Sequence, residues 1–213
     1  MKIVFEGGEG ELVEKKSRFI ATVRPVEREE EALAFLAEMK KKYWNASHNC
    51  FAYVIGANQE LQRCSDDGEP QGTAGRPMLD VLLGEDIHNA AVVVTRYFGG
   101  TLLGTGGLVR AYSKSVQTGL AASKVIEKKA GKLVRVRIDY NGIGKIQYLL
   151  GQRGLQVVDS QYTDVAEIET LVPLEQAGEL IEAITEGTNG RAGFLKEEEV
   201  CFGFVDGEPL IFH

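Results

Sequence analysis

Glycines and cations are concentrated in one stretch of this 213-residue chain. An apolar segment, residues 90–94, leads into Arg96 and Tyr97, and Arg110 and Lys114 follow after five glycines: Gly99, Gly100, Gly104, Gly106 and Gly107. Glycine tolerates positive φ and lets a ligand approach the backbone closely. The beginning of a helix offers unpaired N–H groups and the positive end of the helix dipole. The stretch therefore predicts an anion site, and a phosphate is the first candidate.

The distribution of charge supports this prediction. The formal net charge is −7, yet residues 1–130 hold 17 basic and 17 acidic side chains, so the whole excess lies in residues 131–213. Residues 87–126 contain no Asp or Glu. A locally positive region of this kind can bind a polyanion even on an acidic protein. Arg18 lies in a second basic cluster, residues 15–19, and would extend the patch if its strand lies beside the glycines.

The glycine stretch matches neither of two common nucleotide-binding motifs. It contains no G-x-x-x-x-G-K-[ST], so it is not a P-loop. Its glycine spacing differs from that of the Rossmann fingerprint, and no matching acid follows. The alternative interpretation is that the glycines only permit a tight strand-to-helix connection beside a solvated cationic face.

A possible second site lies around His48, Asp66, Asp67 and Glu69. Carboxylates are hard ligands for Mg²⁺ or Ca²⁺, and His48 is an acid–base candidate. The spacing is not that of an EF-hand, however, and Asp-Gly turns are common in ordinary loops. The alternative is a solvated loop that docks on neighbouring backbone. We therefore expect no metal ion and no cofactor.

Cysteine usage argues against a disulfide framework. The chain has three cysteines, Cys50, Cys64 and Cys201, with no C-x-x-C spacing, which is typical of a reducing cytoplasm. Two cysteines and His48 leave a structural zinc site one ligand short. We expect Cys50 to be a small buried residue and assign no catalytic residue.

Two further absences in the sequence bear on localisation. There is no run of about 18 apolar residues, as a membrane-spanning helix requires. The first seven residues do not resemble a signal peptide, because the apolar segment is too short and is soon followed by an acidic residue, Glu6. We therefore expect a cytoplasmic protein with no membrane partner.

Hydrophobic periodicity predicts an α+β fold. In the first part we expect strands at 11–16, 17–25, 48–56, 61–65 and 90–98 and helices at 29–43, 78–83 and 106–123. Residues 127–131 are predicted as a linker. In the second part, strands at 133–138, 155–162, 165–172 and 191–201 and helices at 143–153 and 174–186 give the order β-α-β-β-α-β, which is ferredoxin-like. The predicted domains are 1–130 and 131–206, followed by a tail at 207–213.

The chain resembles the IMPACT/YigZ family over essentially its whole length. The most specific motifs are V-V-T-R-Y-F-G-G at 93–100 and L-G-T-G-G-L-V-R-A-Y at 103–112; supporting motifs lie at 16–21, 46–50, 66–70 and 72–75. The resemblance implies a first domain like domain IV of elongation factor G and a ferredoxin-like second domain like its domain V. The likeness to elongation factor G implies RNA or ribosome binding, and the eukaryotic relatives regulate translation.

We therefore predict a cytoplasmic, non-enzymatic protein that binds RNA or the ribosome and acts in translation or its regulation. Arg18, Arg96, Arg110 and Lys114 would contact phosphates, the glycine amides would hold one phosphate, and Tyr97 or Phe98 would stack on a base. One alternative is an enzyme acting on a phosphorylated small molecule, with His48 as its acid or base. The other is a regulator that uses the acidic C-terminal domain to contact a protein partner, without binding nucleic acid.

Overall fold

The computed structural model describes residues 1–212, and its contacts divide the chain into two units. Unit 1 is Met1–Glu127, and unit 2 begins at Lys128. The strands of unit 1 are β1 (Lys2–Glu6), β2 (Glu9–Glu14), β3 (Ser17–Pro25), β4 (His48–Ile55), β5 (Leu61–Ser65), β6 (Ile87–His88), β7 (Ala90–Tyr97) and β8 (Lys124–Glu127). Its helices are α1 (Glu29–Lys42), α2 (Gly75–Gly84) and α3 (Thr105–Ala121). The predicted α+β class is confirmed.

A five-stranded antiparallel sheet forms the centre of unit 1, in the order β2-β3-β7-β4-β5. Strand β7 is central, as its apolar residues on both faces predict. Ala91 and Val93 pack with the buried side of α1 on one face. Val92 and Val94 pack with α2 and α3 on the other. The two faces therefore bury separate apolar clusters.

Helix α3 presents the face predicted from its sequence. Its buried positions recur at helical spacing and are Leu108, Ala111, Tyr112, Ser115, Val116, Gly119 and Leu120. Gly119 permits close packing on the sheet, because a Cβ there would lie 3.0 Å from the Ala21 Cβ. Arg110, Lys114 and Gln117 lie on the exposed side. The helix thus fixes three polar side chains on one surface.

A small second sheet in unit 1 was not predicted. Its order is β6-β1-β8, with β1 antiparallel to β8 and parallel to β6. The predicted linker at 127–131 is wrong in part, because β8 ends at Glu127 and β9 begins at Lys129. Short strands that pair only with distant segments leave little periodic signal in a sequence.

Unit 2 is a second layered structure. Its elements are β9 (Lys129–Ile138), a 3-10 turn (Tyr140–Gly142), α4 (Ile143–Gln152), β10 (Val157–Tyr162), β11 (Ala166–Pro173), α5 (Leu174–Gly187), β12 (Gly193–Val205) and β13 (Glu208–Phe212). The strands form one antiparallel sheet in the order β10-β11-β9-β12-β13. Helices α4 and α5 contribute Ile146, Leu149, Leu180 and Ile184 to the aliphatic core against β9 and β11.

The predicted tail at 207–213 is corrected by the structure. Residues 208–212 form β13, which pairs with β12, and His213 lies outside the described residues. Asp206 and Gly207 join the strands with φ of 53° and 88°. Asp-Gly with two positive φ angles is typical of a tight hairpin turn, so the signal was present in the sequence. None of the helices in residues 1–212 is long and apolar enough to span a membrane.

Candidate functional site

The first turn of α3 has the features that an anion site needs. The helix begins at Thr105, no side chain caps it at Gly104, and its first turn holds no acid. Gly104 has φ of 76°, a value that favours glycine. Gly104, Thr105 and Gly106 are exposed. The first N–H groups of the helix and the positive end of its dipole therefore face solvent.

The preceding glycines bring the β2–β3 hairpin close to this helix start. Gly100 has φ of 83°, and a Cβ at Gly99 would overlap the backbone of Lys16. The Gly99 N–H donates to Ser17 Oγ at 3.2 Å. The basic cluster at 15–19 therefore lies beside the glycine stretch.

A groove of about 520 Å³ runs between α3 and this hairpin. Arg110 and Lys114 line it from α3, and Lys15 lines it from the hairpin, with Glu14 as its acidic member. Neither Arg110 nor Lys114 forms a salt bridge among the described residues, whereas Arg18 Nε lies 2.6 Å from Glu11 Oε1. The groove therefore holds unneutralised positive charge, to which Arg18 adds little.

Arg96 was expected to lie at the surface and contact phosphates, but it is buried. It is 5% exposed, and its Nη1 lies 2.6 Å from Glu69 Oε1. Successive residues of a strand point to opposite faces, so Arg96 shares the inner face with Val92 and Val94. Tyr97 points to the other face, where its hydroxyl donates to Asn45 at 3.0 Å. Arg96 is thus an internal cation.

Five polar residues form a buried cluster beneath α3: Ser17, Cys50, Glu69, Arg96 and Tyr112. The Tyr112 hydroxyl donates to Glu69 Oε1 at 2.7 Å, and Arg96 Nη2 donates to Ser17 Oγ at 3.3 Å. The Cys50 thiol lies 3.3 Å from the Tyr112 oxygen. The cluster therefore neutralises and hydrogen-bonds the Glu69 carboxylate inside the unit.

Burial keeps the Cys50 thiol and the Tyr112 hydroxyl protonated. It raises the pKa of Cys50 to about 12, and burial together with Cys50 and Glu69 raises the pKa of Tyr112. A nucleophilic cysteine needs a thiolate. Cys50 is therefore a thiol at neutral pH, as expected of a small buried residue.

The acidic loop before α2 docks on neighbouring backbone. The Asp66 carboxylate accepts hydrogen bonds from Gly72, Ala74 and Gly75 at 2.8, 3.0 and 2.8 Å. Burial alone would raise the pKa of Asp66, but these hydrogen bonds lower it. Asp67 Oδ2 accepts from the Asn49 N–H at 2.7 Å. Among residues 1–212, no group of three or more His, Cys, Asp or Glu is placed to hold a metal ion.

The possible second site is brought together only in part. His48 Nδ1 lies 2.8 Å from the Asp67 carbonyl oxygen, and His48 Nε2 lies 3.9 Å from Glu69 Oε2. Asp66 is occupied by backbone amides and takes no part. His48 and Glu69 therefore converge at the edge of the buried cluster.

Comparison with known proteins agrees with this architecture. Residues 15–120 match the Impact N-terminal domain, and residues 136–191 match a domain of unknown function (DUF1949). The chain is 45% identical to "IMPACT family member YvyE" of Bacillus subtilis (strain 168), over 93% of this chain and 91% of that protein. The chain belongs to the IMPACT family.

Another IMPACT family member and one solved structure are also similar over most of their length. "IMPACT family member YigZ" of Escherichia coli (strain K12) is 35% identical over 87% of this chain and 92% of its own. A structure titled "Crystal structure of an hypothetical protein" is 33% identical, with a TM-score of 0.58, and covers 92% of this chain and 97% of its own. The resemblance inferred from the sequence is confirmed.

Two residues of this IMPACT family member, Tyr112 and Ser17, have roles that sequence reasoning missed. Tyr112 was assigned only to the core, although its hydroxyl donates a hydrogen bond to Glu69. Ser17 Oγ accepts hydrogen bonds from both Arg96 and Gly99, a role that its position in a basic cluster does not indicate. Of the two stacking candidates, Phe98 is 49% exposed, with the Arg96 guanidinium 5.6 Å from its ring centroid.

Proposed function

We propose that this protein binds RNA, free or within the ribosome, through unit 1, and that it acts in translation or its regulation. The observation that carries the proposal is the start of α3, which is uncapped, free of acids and exposed. Arg110 and Lys114 add two unneutralised cations beside it. The family resemblance supports the connection with translation.

Each part of this surface has a separate task in the proposed complex. Arg110, Lys114 and Lys15 line one groove and would contact successive phosphates of the backbone. The N–H groups at the beginning of α3 would receive one phosphate, because the dipole and the unpaired donors act together there. Binding of this kind weakens as salt rises, since each neutralised phosphate releases counterions.

The proposal also includes the fold of each unit. Unit 2 has the element order β9-α4-β10-β11-α5-β12 and the strand order β10-β11-β9-β12, which supports a ferredoxin-like assignment. For unit 1 we propose a relation to domain IV of elongation factor G. Both are analogies of fold, and the RNA proposal depends on the surface of unit 1 rather than on them.

The proposal is tested by measuring RNA affinity at low salt with fluorescence anisotropy. Arg110→Glu combined with Lys114→Glu should lower the affinity by at least about tenfold and flatten its dependence on salt. The matched control is Arg137→Glu with Lys145→Glu, which changes one Arg and one Lys at exposed positions of unit 2.

The two double variants have the same net charge, so they separate local contact from general electrostatics. We expect the control to retain most of the affinity. Equal losses in both variants would show that net charge alone governs binding. Wild-type affinity in the Arg110/Lys114 variant would refute the proposal.

A further inference from the structure

Two hydrogen-bond acceptors face each other at the edge of the buried cluster. His48 Nδ1 lies 2.8 Å from the Asp67 carbonyl oxygen. A carbonyl oxygen can only accept, so Nδ1 carries the proton and donates it to that bond. In the neutral ring Nε2 is then a bare acceptor, and it lies 3.9 Å from Glu69 Oε2.

The Glu69 carboxylate is engaged through one oxygen only. Oε1 accepts from both Arg96 and Tyr112, while Oε2 accepts from none of the described groups. Arg96 Nε is the one fully buried side-chain nitrogen or oxygen without a partner in the described chain. Oε2 also lacks a hydrogen-bond partner but is not among the fully buried atoms, so it keeps a small contact with solvent, 3.9 Å from His48 Nε2.

This acceptor pair, His48 Nε2 and Glu69 Oε2, can be satisfied by a single group that has two hydrogens to donate, such as water or an amino group. Two acceptors cannot bond each other, and a hydroxyl has one hydrogen, so it satisfies only one of them. An amino group can donate to both. Adenine, cytosine and guanine carry an exocyclic amino group, and uracil does not.

A stacking surface lies at the same place. The ring of Phe98 is 49% exposed, and its backbone N–H donates to Ser47 Oγ at 3.2 Å. The Arg96 guanidinium, which bonds Glu69, lies 5.6 Å from the Phe98 ring centroid. An exposed aromatic ring next to a polar edge is how single-stranded RNA is commonly held, with bases stacked and their edges hydrogen-bonded.

We propose that His48 Nε2 and Glu69 Oε2 bind the exocyclic amino group of an unpaired RNA base stacked on Phe98, so that the protein prefers adenine, cytosine or guanine to uracil. The proposal rests on the proposed RNA binding and adds its specificity. Glu69 contributes an acceptor without adding net charge to the site, because Arg96 neutralises it. The acceptor pair therefore does not repel the RNA backbone.

The test compares the affinities of oligo(A), oligo(C) and oligo(U) by fluorescence anisotropy, using the full chain. Wild-type protein should bind oligo(A) and oligo(C) about tenfold more tightly than oligo(U), the discrimination expected of one good base-edge contact. His48→Leu should abolish this preference, lowering the affinities for oligo(A) and oligo(C) to about that for oligo(U). His48→Ala, which also removes the acceptor, provides a second variant if His48→Leu does not fold.

Phe98→Leu supplies the complementary variant. It should weaken all three oligonucleotides by a similar factor and leave the ratio between them unchanged, because stacking does not depend on the amino group. Equal wild-type affinities for the three, or a preference that persists in both His48 variants, would overturn the specificity while RNA binding stands. Failure to bind any of the three would instead refute the proposed function and the specificity with it.

Discussion

The two units differ in what they bury. Unit 1 encloses a charged pair, with the Glu69 and Arg96 side chains 3% and 6% exposed. Unit 2 encloses an aliphatic core, and its buried polar residues are Thr170 and Thr188 among those described. Each threonine donates its hydroxyl to a nearby carbonyl, so neither brings a charge into the core.

This difference supports the placement of the proposed binding surface on unit 1. A buried ion pair is often no more stabilising than well-packed apolar residues, because desolvation offsets the attraction. Charged groups held away from water are found frequently at functional sites. Unit 1 has its buried pair directly beneath the glycine stretch, whereas the interior of unit 2 is typical of a structural core.

The largest expected effect comes from breaking the buried pair. Arg96→Ala leaves the Glu69 carboxylate inside unit 1 without its counter-charge, which should lower the free energy of unfolding by about 3–5 kcal/mol. Hydrogen–deuterium exchange during urea unfolding measures this, since amides of β7 report on unit 1 and amides of β11 on unit 2. We expect the loss at β7.

A double variant shows whether the loss comes from the charge left behind. Arg96→Leu with Glu69→Leu removes both charges and should recover much of the stability lost in Arg96→Ala. If the double variant is as unstable as the single one, the hydrogen bonds of the cluster outweigh its electrostatics.

Alkaline pH should destabilise unit 1 before unit 2. Burial raises the pKa of Cys50 to about 12 from 9.0 and that of Tyr53 to about 12 from 10.0. Each group stays protonated in the fold above the pH at which it ionises in the unfolded chain. Its contribution is therefore full below about pH 9 and is lost as the pH rises toward about 12, at about 1.4 kcal/mol per pH unit for each group.

Pulsed alkylation measures this loss in the intact chain. Cys50 is buried and should react only when unit 1 opens, so its labelling should rise through that pH range. Tyr53→Phe removes one titrating group and should make the dependence on pH less steep. An unchanged slope in this variant would contradict the assigned role of Tyr53.

The smallest effect is expected at an exposed pair of unit 2. Arg191 Nη1 lies 2.8 Å from Asp139 Oδ2, with the two side chains 53% and 44% exposed. Arg191→Ala should cost no more than about 1 kcal/mol, because water screens the attraction. The same substitution at Arg96 and at Arg191 thus measures what burial adds to an ion pair. Equal losses in the two variants would contradict the comparison.

Much of the fold follows from periodic patterns in the sequence. The buried positions of α3 and the central place of β7 were predicted because long elements repeat their signal many times. Strands β1 and β6 were missed because they are five and two residues long and pair with segments far away in the chain. The β12–β13 hairpin was missed, although the Asp206-Gly207 dipeptide is a typical signal of a tight hairpin turn.

The exposed residues of the candidate site could be predicted from the sequence, whereas the buried position of Arg96 could not. Helical spacing places Arg110 and Lys114 on one exposed face, and the structure agrees; what binds there remains a prediction. The direction of Arg96 was missed because β7 is apolar on both faces, so alternation gave no preference for solvent. Its pairing with Glu69, 27 residues away, depends on tertiary packing.

The small sheet of unit 1 has a topological consequence. Strand β1 opens the unit and β8 closes it, and the two are antiparallel neighbours with Ile3 opposite Ile126. The chain therefore enters and leaves unit 1 at the same place. A unit with adjacent ends can be inserted between two neighbouring residues of a host protein with little loop-closure entropy. Unit 1 therefore has the geometry of an insertable domain, which a larger protein can accommodate without rearranging its own fold.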